Sequence, residues 1–137
     1  MEQKLSEEKI VYLDLEDVED LHKENLERDG GLPGREPGKL EAKLALPMSG
    51  YGGIEFYPTL GEKAAVYHYH LASGHCFFDA NKRTSYTAMV LFLDFNGYDL
   101  IAESDDLYEW TRMIADHNTR PDFKHAVKWI EDRMRKL

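Results

Sequence analysis

The chain lacks most of what would tie it to a membrane, an oxidising compartment or a nucleic-acid backbone. Cysteine occurs once, at Cys76, so neither an intrachain disulfide framework nor a cysteine-based zinc site can form. No apolar run approaches the about 20 residues needed to cross a bilayer; the most apolar stretch, Met89 to Phe95, contains Asp94. The N-terminus, Met-Glu-Gln-Lys-Leu-Ser-Glu-Glu-Lys, has no apolar segment of the kind a signal peptide needs. These absences predict a soluble, cytoplasmic protein. Basic residues are also scarce, 17 Lys and Arg against 26 Asp and Glu, for a formal charge of −9. Broad contact with nucleic acid requires cations that displace phosphate counterions, so direct nucleic-acid binding is not expected and only a local basic site stays open. The composition that remains, 42% apolar and 31% charged over 137 residues, is that of one globular domain, residues 1–137.

No repeat, linker or low-complexity segment divides the chain. Leu15, Val18, Leu21, His22 and Leu26 recur at helical spacing after Asp14, a capping residue, and Gly30-Gly31 end the run. Beyond the turn-rich Gly-Gly-Leu-Pro-Gly, a short helix is predicted from Pro37 to Leu46, closed by Pro47. Residues 49–58 alternate glycines with β-formers and predict a small hairpin, the single strand signal in the chain; a substrate-clamping flap and a plain connection are equally compatible with it. Thr59 or Gly61 opens a helix from Glu62 to Ser73 with little polar face, hence mostly buried. The run Lys82 to Asn96, stopped by Gly97, is apolar on all sides around Ala88 to Leu93 and reads as the central helix. Ser104, with Asp105 and Asp106, is predicted to cap a helix carrying Leu107, Trp110 and Ile114. Pro121 opens a last helix through Phe123, Val127, Ile130, Met134 and Leu137. The expected fold is a mainly α, compact bundle of about six helices with a possible hairpin flap.

Between the two most buried helices lies Gly74-His75-Cys76-Phe77-Phe78-Asp79-Ala80-Asn81-Lys82-Arg83-Thr84, which gathers an imidazole, a carboxylate, an amide and two cations. If the central helix begins near Ala80, its free N–H groups and positive dipole end face this loop, and Lys82 and Arg83 add cationic charge where a helix by itself disfavours it. A bound anion relieves that conflict. Asp79 is a hard oxygen donor suited to Mg²⁺ bridging phosphates, Asn81 can donate to phosphate oxygens and Arg83 presents a bidentate fork. His75 offers an imidazole that can take a proton from an incoming hydroxyl. Phe77 is expected to turn inward and anchor the loop. These are the parts of a nucleotide-dependent phosphoryl or nucleotidyl transferase.

The segment from His75 to Arg83 resembles the Fic/Doc signature, His-x-Phe-x-Asp/Glu-Gly/Ala-Asn-Gly/Lys-Arg. The blocks Gly34 to Glu41, Tyr57 to Ala65 and Leu91 to Tyr98 extend the resemblance, on the death-on-curing (Doc) side, over roughly residues 10–116. The resemblance implies a helical Fic-type fold and transfer of part of ATP to a protein hydroxyl. Carried over by position, His75 is the general base, Asp79 holds Mg²⁺, and Asn81, Lys82 and Arg83 bind phosphates. Lys82 replaces a glycine, and Tyr86 a second arginine, of the adenylyl-transferring members. Doc-like proteins share both changes, and the implied consequence is reversed nucleotide binding that presents the γ-phosphate, hence protein kinase chemistry. The implied target is a translation factor, elongation factor Tu in Doc, and the implied partner an antitoxin whose C-terminal helix fills a groove. Cys76 departs from the proline common at that position.

Plainer readings stand beside these. His22, His68, His70, His117 and His125 are taken as structural, and His68 with His70 fall on different sides of a helix, so that only an extended segment would let them share a metal. Asp79 can serve as an N-cap, Lys82 and Arg83 as a solvated pair, and Cys76 as a small buried filler. The apolar stripe of the last helix is core, with Lys128, Arg133, Arg135 and Lys136 beside it available to an acidic peptide. The rival functions are a protein adenylyltransferase using the same loop and a catalytically silent binding module.

Overall fold

The computed structural model describes residues 9–137. Its six helices are α1 (Leu15–Asp29), α2 (Lys39–Leu44), α3 (Leu60–Ser73), α4 (Asn81–Phe95), α5 (Ser104–Ala115) and α6 (Phe123–Glu131). Two helix starts carry reciprocal capping boxes, Asp14 with Asp17 before α1 and Thr59 with Glu62 before α3; each satisfies N–H groups that the helix itself leaves open. Helix α4 is central. It lies along α3, and α1, α5 and α6 pack around the pair. The core they enclose includes Val18, Tyr67, Met89, Phe92, Leu93 and Ile130. The expected mainly helical bundle is therefore the fold observed, and among the described residues no helix is long and apolar enough to cross a membrane. The segment Met1 to Glu8, most of the stretch read above for a leader, lies outside the described residues.

Four local expectations are corrected. The helix expected to reach Leu46 stops at Leu44, and a 3₁₀ turn, Leu46–Met48, takes Pro47 inside it, where the missing N–H is no loss. Ser104 is the first residue of α5, not its cap: Glu103 holds the cap position and makes no side-chain hydrogen bond. Pro121 precedes the cap of α6, which is Asp122 accepting from the His125 N–H. Most tellingly, the last helix ends at Glu131, and Met134–Lys136 form a strand, β4, antiparallel to β3 (Tyr98–Leu100). Helical spacing continues through Met134 and Leu137, but the backbone after Gly97 offers an open strand edge, and the Ile101 N–H to Arg133 O and Leu137 N–H to Gly97 O bonds extend the pairing.

The expected hairpin is present as β1 (Gly50–Tyr51) paired with β2 (Ile54–Glu55). A buried lysine fastens it to α3: Lys63 Nζ, with its side chain 1% exposed, donates to Glu55 Oε1 at 2.6 Å, Tyr57 O at 2.7 Å and Pro47 O at 3.3 Å. The ion pair and the carbonyls together satisfy a charge that alone would be costly to bury.

Helix α5 is fastened by a buried polar pair. The Thr111 hydroxyl donates to Leu107 O at 2.8 Å, so it accepts from His68 Nε2–H at 2.7 Å, and Nδ1 is the bare nitrogen, buried without a partner. Burial pushes the His68 pKa down to about 3 from the ordinary 6.5. The folded chain thus keeps this ring neutral while the unfolded chain takes up a proton below pH about 6.5, so stability falls with pH between those values. Between pH 7.5 and 5.5 the loss from this ring amounts to about 1.4 kcal/mol. Urea denaturation of the protein beside its His68→Gln variant is expected to show that part of the acid sensitivity disappearing.

Candidate functional site

The segment between α3 and α4 forms a cavity of about 290 Å³ at the N-terminal end of the central helix. One wall is His75, Phe78, Asp79, Ala80, Asn81 and Lys82; the facing wall is Arg112, Ala115 and Asp116 from the C-terminal end of α5, with Ala72 of α3 between them. The His75 imidazole is exposed, not absorbed into packing.

The loop conformation follows from how α4 starts. Ala80 occupies the cap position in the left-handed region, at φ 63°, and no side chain caps the helix. His75 is likewise left-handed, at φ 51°, an uncommon conformation for a residue with a Cβ. With no capping side chain, the first-turn N–H groups stay available on the cavity side of α4, and the helix dipole favours an anion there. Asp79 does not cap the helix. Its Oδ1 accepts from the adjacent Ala80 N–H at 3.0 Å and its Oδ2 from the Leu32 N–H at 3.1 Å. Those two donors, Leu32 first, and then the Arg83 charge hold its carboxyl below the usual range, so it is ionised at neutral pH.

Asn81 is largely committed to the loop itself: Oδ1 accepts from the Phe77 N–H at 3.0 Å and Nδ2 donates to Phe77 O at 2.9 Å, leaving one amide hydrogen toward the cavity. Phe77 lies buried behind the loop, stacked on His22 with ring centroids 3.8 Å apart. His22 Nε2 is 2.9 Å from Asp79 O, so this α1 residue, read as structural, supports the loop from below. Arg83 does not line the cavity. Its guanidinium reaches Asp29 at 3.2 Å and Gly30 O at 3.3 Å, at the end of α1. Cys76 is fully buried and its burial raises the thiol pKa, which leaves it a filler in place of a nucleophile.

Several site residues escaped the sequence reading. The Gly30 to Glu36 segment is a cradle for the loop, joined to it by the Arg35–Phe77 bridge and by the Phe78 N–H to Gly34 O and Glu36 N–H to Cys76 O bonds. Gly31 has φ 129°, and a Cβ there would lie 2.9 Å from Leu26 Cδ2 and 3.0 Å from Asp79 Oδ2. The density of glycine was the available signal. Arg112 and Asp116 had none: charges four apart on an amphipathic helix read as a solvated face.

Asp79 fits a hard cation. It is an exposed, ionised carboxylate whose oxygens each retain an acceptor site after their one backbone bond. Among the described residues no cluster of three metal-ligating side chains exists, so a cation held by Asp79 would need its other ligands from bound oxygens or water.

A helical domain whose central helix starts without a cap, behind a loop of motif residues, agrees with the helical fold that the Fic/Doc resemblance implies. The chain belongs to the Fic/DOC family, whose family model matches residues 12–93, and lies on its Doc branch. It is 40% identical over 94 residues to a protein named Toxin Doc from Mycolicibacterium smegmatis, covering 69% of this chain and 71% of that one. It is 37% identical over 127 residues to one named Protein kinase doc from Escherichia phage P1, covering 92% and 94%.

Two substitutions test the cradle. Gly31→Ala, strained by its backbone and colliding with Leu26 and Asp79, is expected to lower stability by about 1–3 kcal/mol in urea denaturation. Ala80→Gly, which relieves a left-handed residue while loosening the unfolded chain, is expected to stay within about 1 kcal/mol of the parent.

Proposed function

We propose that the chain is a Doc-like toxin that uses Mg-ATP to phosphorylate a hydroxyl of a protein target and so arrests translation. A translation factor such as elongation factor Tu is the target the resemblance suggests. The observation that carries this reading is the convergence of an exposed His75, an ionised Asp79 and Lys82 on one cavity at the uncapped start of α4. The names of the relatives, a toxin and a protein kinase, support it. His75 takes the proton of the target hydroxyl as that oxygen bonds to the γ-phosphorus; the bond to the bridging oxygen breaks and ADP leaves. Lys82 and the remaining Asn81 amide hydrogen hold phosphate oxygens. Arg83 joins them by giving up Asp29, and Phe77 keeps the loop in register. Asp79 would hold Mg²⁺, which supplies neutralisation of phosphate charge when bound.

An antitoxin helix is the proposed partner. The groove of about 430 Å³ lined by Leu21, Tyr86, Val90, Leu91 and Leu107, with Asp94 and Asp99 beside them, suits an amphipathic helix carrying a basic residue.

Incubation with a host extract and ATP labelled at either the α or the γ position tests the chemistry. Retention of γ label on protein is expected; retained α label would replace phosphoryl with adenylyl transfer. His75→Ala is expected to lower transfer at least 100-fold and to abolish growth arrest on expression. Arrest that survives this substitution would favour the binding-module reading.

A further inference from the structure

The cavity has a cation that no motif supplies. Resting on the nucleotide reading above, we propose that Arg112 of α5 is a binding residue for the polyphosphate, facing Lys82 across the cavity and doing from the second wall what Arg83 does not do in this conformation.

Three observations carry this. First, the cations that line the cavity are Lys82 and Arg112, whereas Arg83 is held outside it by Asp29 and Gly30 O. Second, without Arg112 the α5 wall repels an anion: it presents Asp116 and the negative end of the α5 dipole. With Arg112 in the last turn, that end is neutralised and the wall carries a planar fork suited to phosphate oxygens. Third, the backbone that carries Arg112 is rigid. The preceding residue, Thr111, is fully buried and bonded to His68 of α3, and Arg120 Nε donates to Ile114 O at 2.7 Å, closing the end of the helix. The guanidinium meanwhile has a weak competitor: Nε and Nη2 both donate to a single oxygen of Glu109, at 3.2 and 2.8 Å, in an exposed pair. Such pairs contribute little, so a polyphosphate displaces Glu109 readily. A triphosphate with one bound divalent cation still carries net negative charge, and two opposed cations suit it better than one.

Titration calorimetry of the full chain with Mg-ATP at several salt concentrations tests the assignment. Arg112→Gln is expected to bind about tenfold more weakly and with a flatter dependence of affinity on salt, since one ionic contact is lost. Arg112→Lys is expected to recover the salt dependence and most of the affinity, which a role in packing alone would not produce. Parent-like affinity and salt dependence in Arg112→Gln would overturn the inference and leave the nucleotide reading intact. Failure of the parent chain itself to take up Mg-ATP would instead withdraw that reading.

Discussion

A helix that begins in the interior of a domain leaves N–H groups that something has to satisfy, and the central helix of this protein begins without a capping side chain. Its cap position is Ala80, held left-handed, and the side chains that might have capped it are turned elsewhere: Asp79 to Leu32 and Ala80, Asn81 to Phe77. The first turn therefore opens on the cavity, with its dipole and N–H groups directed at whatever anion enters. Everything else about the site serves to keep that opening in place. A conventional cap would have satisfied the helix and removed its use.

The surrounding scaffold is built to resist the strain this entails. Two residues with side chains sit in the left-handed region within the same short loop. The loop is nevertheless held on three sides. Beneath it, Phe77 stacks on His22; within it, Asn81 brackets Phe77; outside it, residues 34–36 pair with residues 76–78, and Gly31 comes too close to Asp79 for a side chain. Helix α1 thus contributes to the site without lining it, through His22 and through Asp29, which holds Arg83. The same economy is visible at α3, whose buried Lys63 fastens the hairpin and whose buried His68 fastens α5. Of these two buried polar groups, His68 fixes an element that lines the cavity, α5, at the expense of acid stability.

The fold was largely legible in the sequence because its signals are local. Asp14 and Thr59 announce helix starts, the apolar stretch around Ala88 to Leu93 marks the core helix, and the glycine-rich 49–57 segment marks a hairpin. Three of the corrections shift a helix boundary or cap by a residue or two, and the largest lies where a distant partner overrides a local pattern. Met134 and Leu137 keep helical spacing, yet the chain pairs with Tyr98 to Leu100 because an unpaired edge some 35 residues earlier accepts its backbone.

The site divides in the same way. The motif from His75 to Arg83, its candidate base, carboxylate and cations, and its place before the central helix followed from sequence, because residue types and their spacing are written along one segment. What only the tertiary structure decided is which of them share a cavity. Lys82 faces into it and Arg83 faces α1, although they are neighbours, since successive residues on a helix point about 100° apart. Arg112 and Asp116 complete the opposite wall from thirty residues away because the core packs α5 against α3 and α4. Sequence spacing fixes chemistry within a segment; the direction in which a side chain points, and what stands opposite it, is set by how the helices pack.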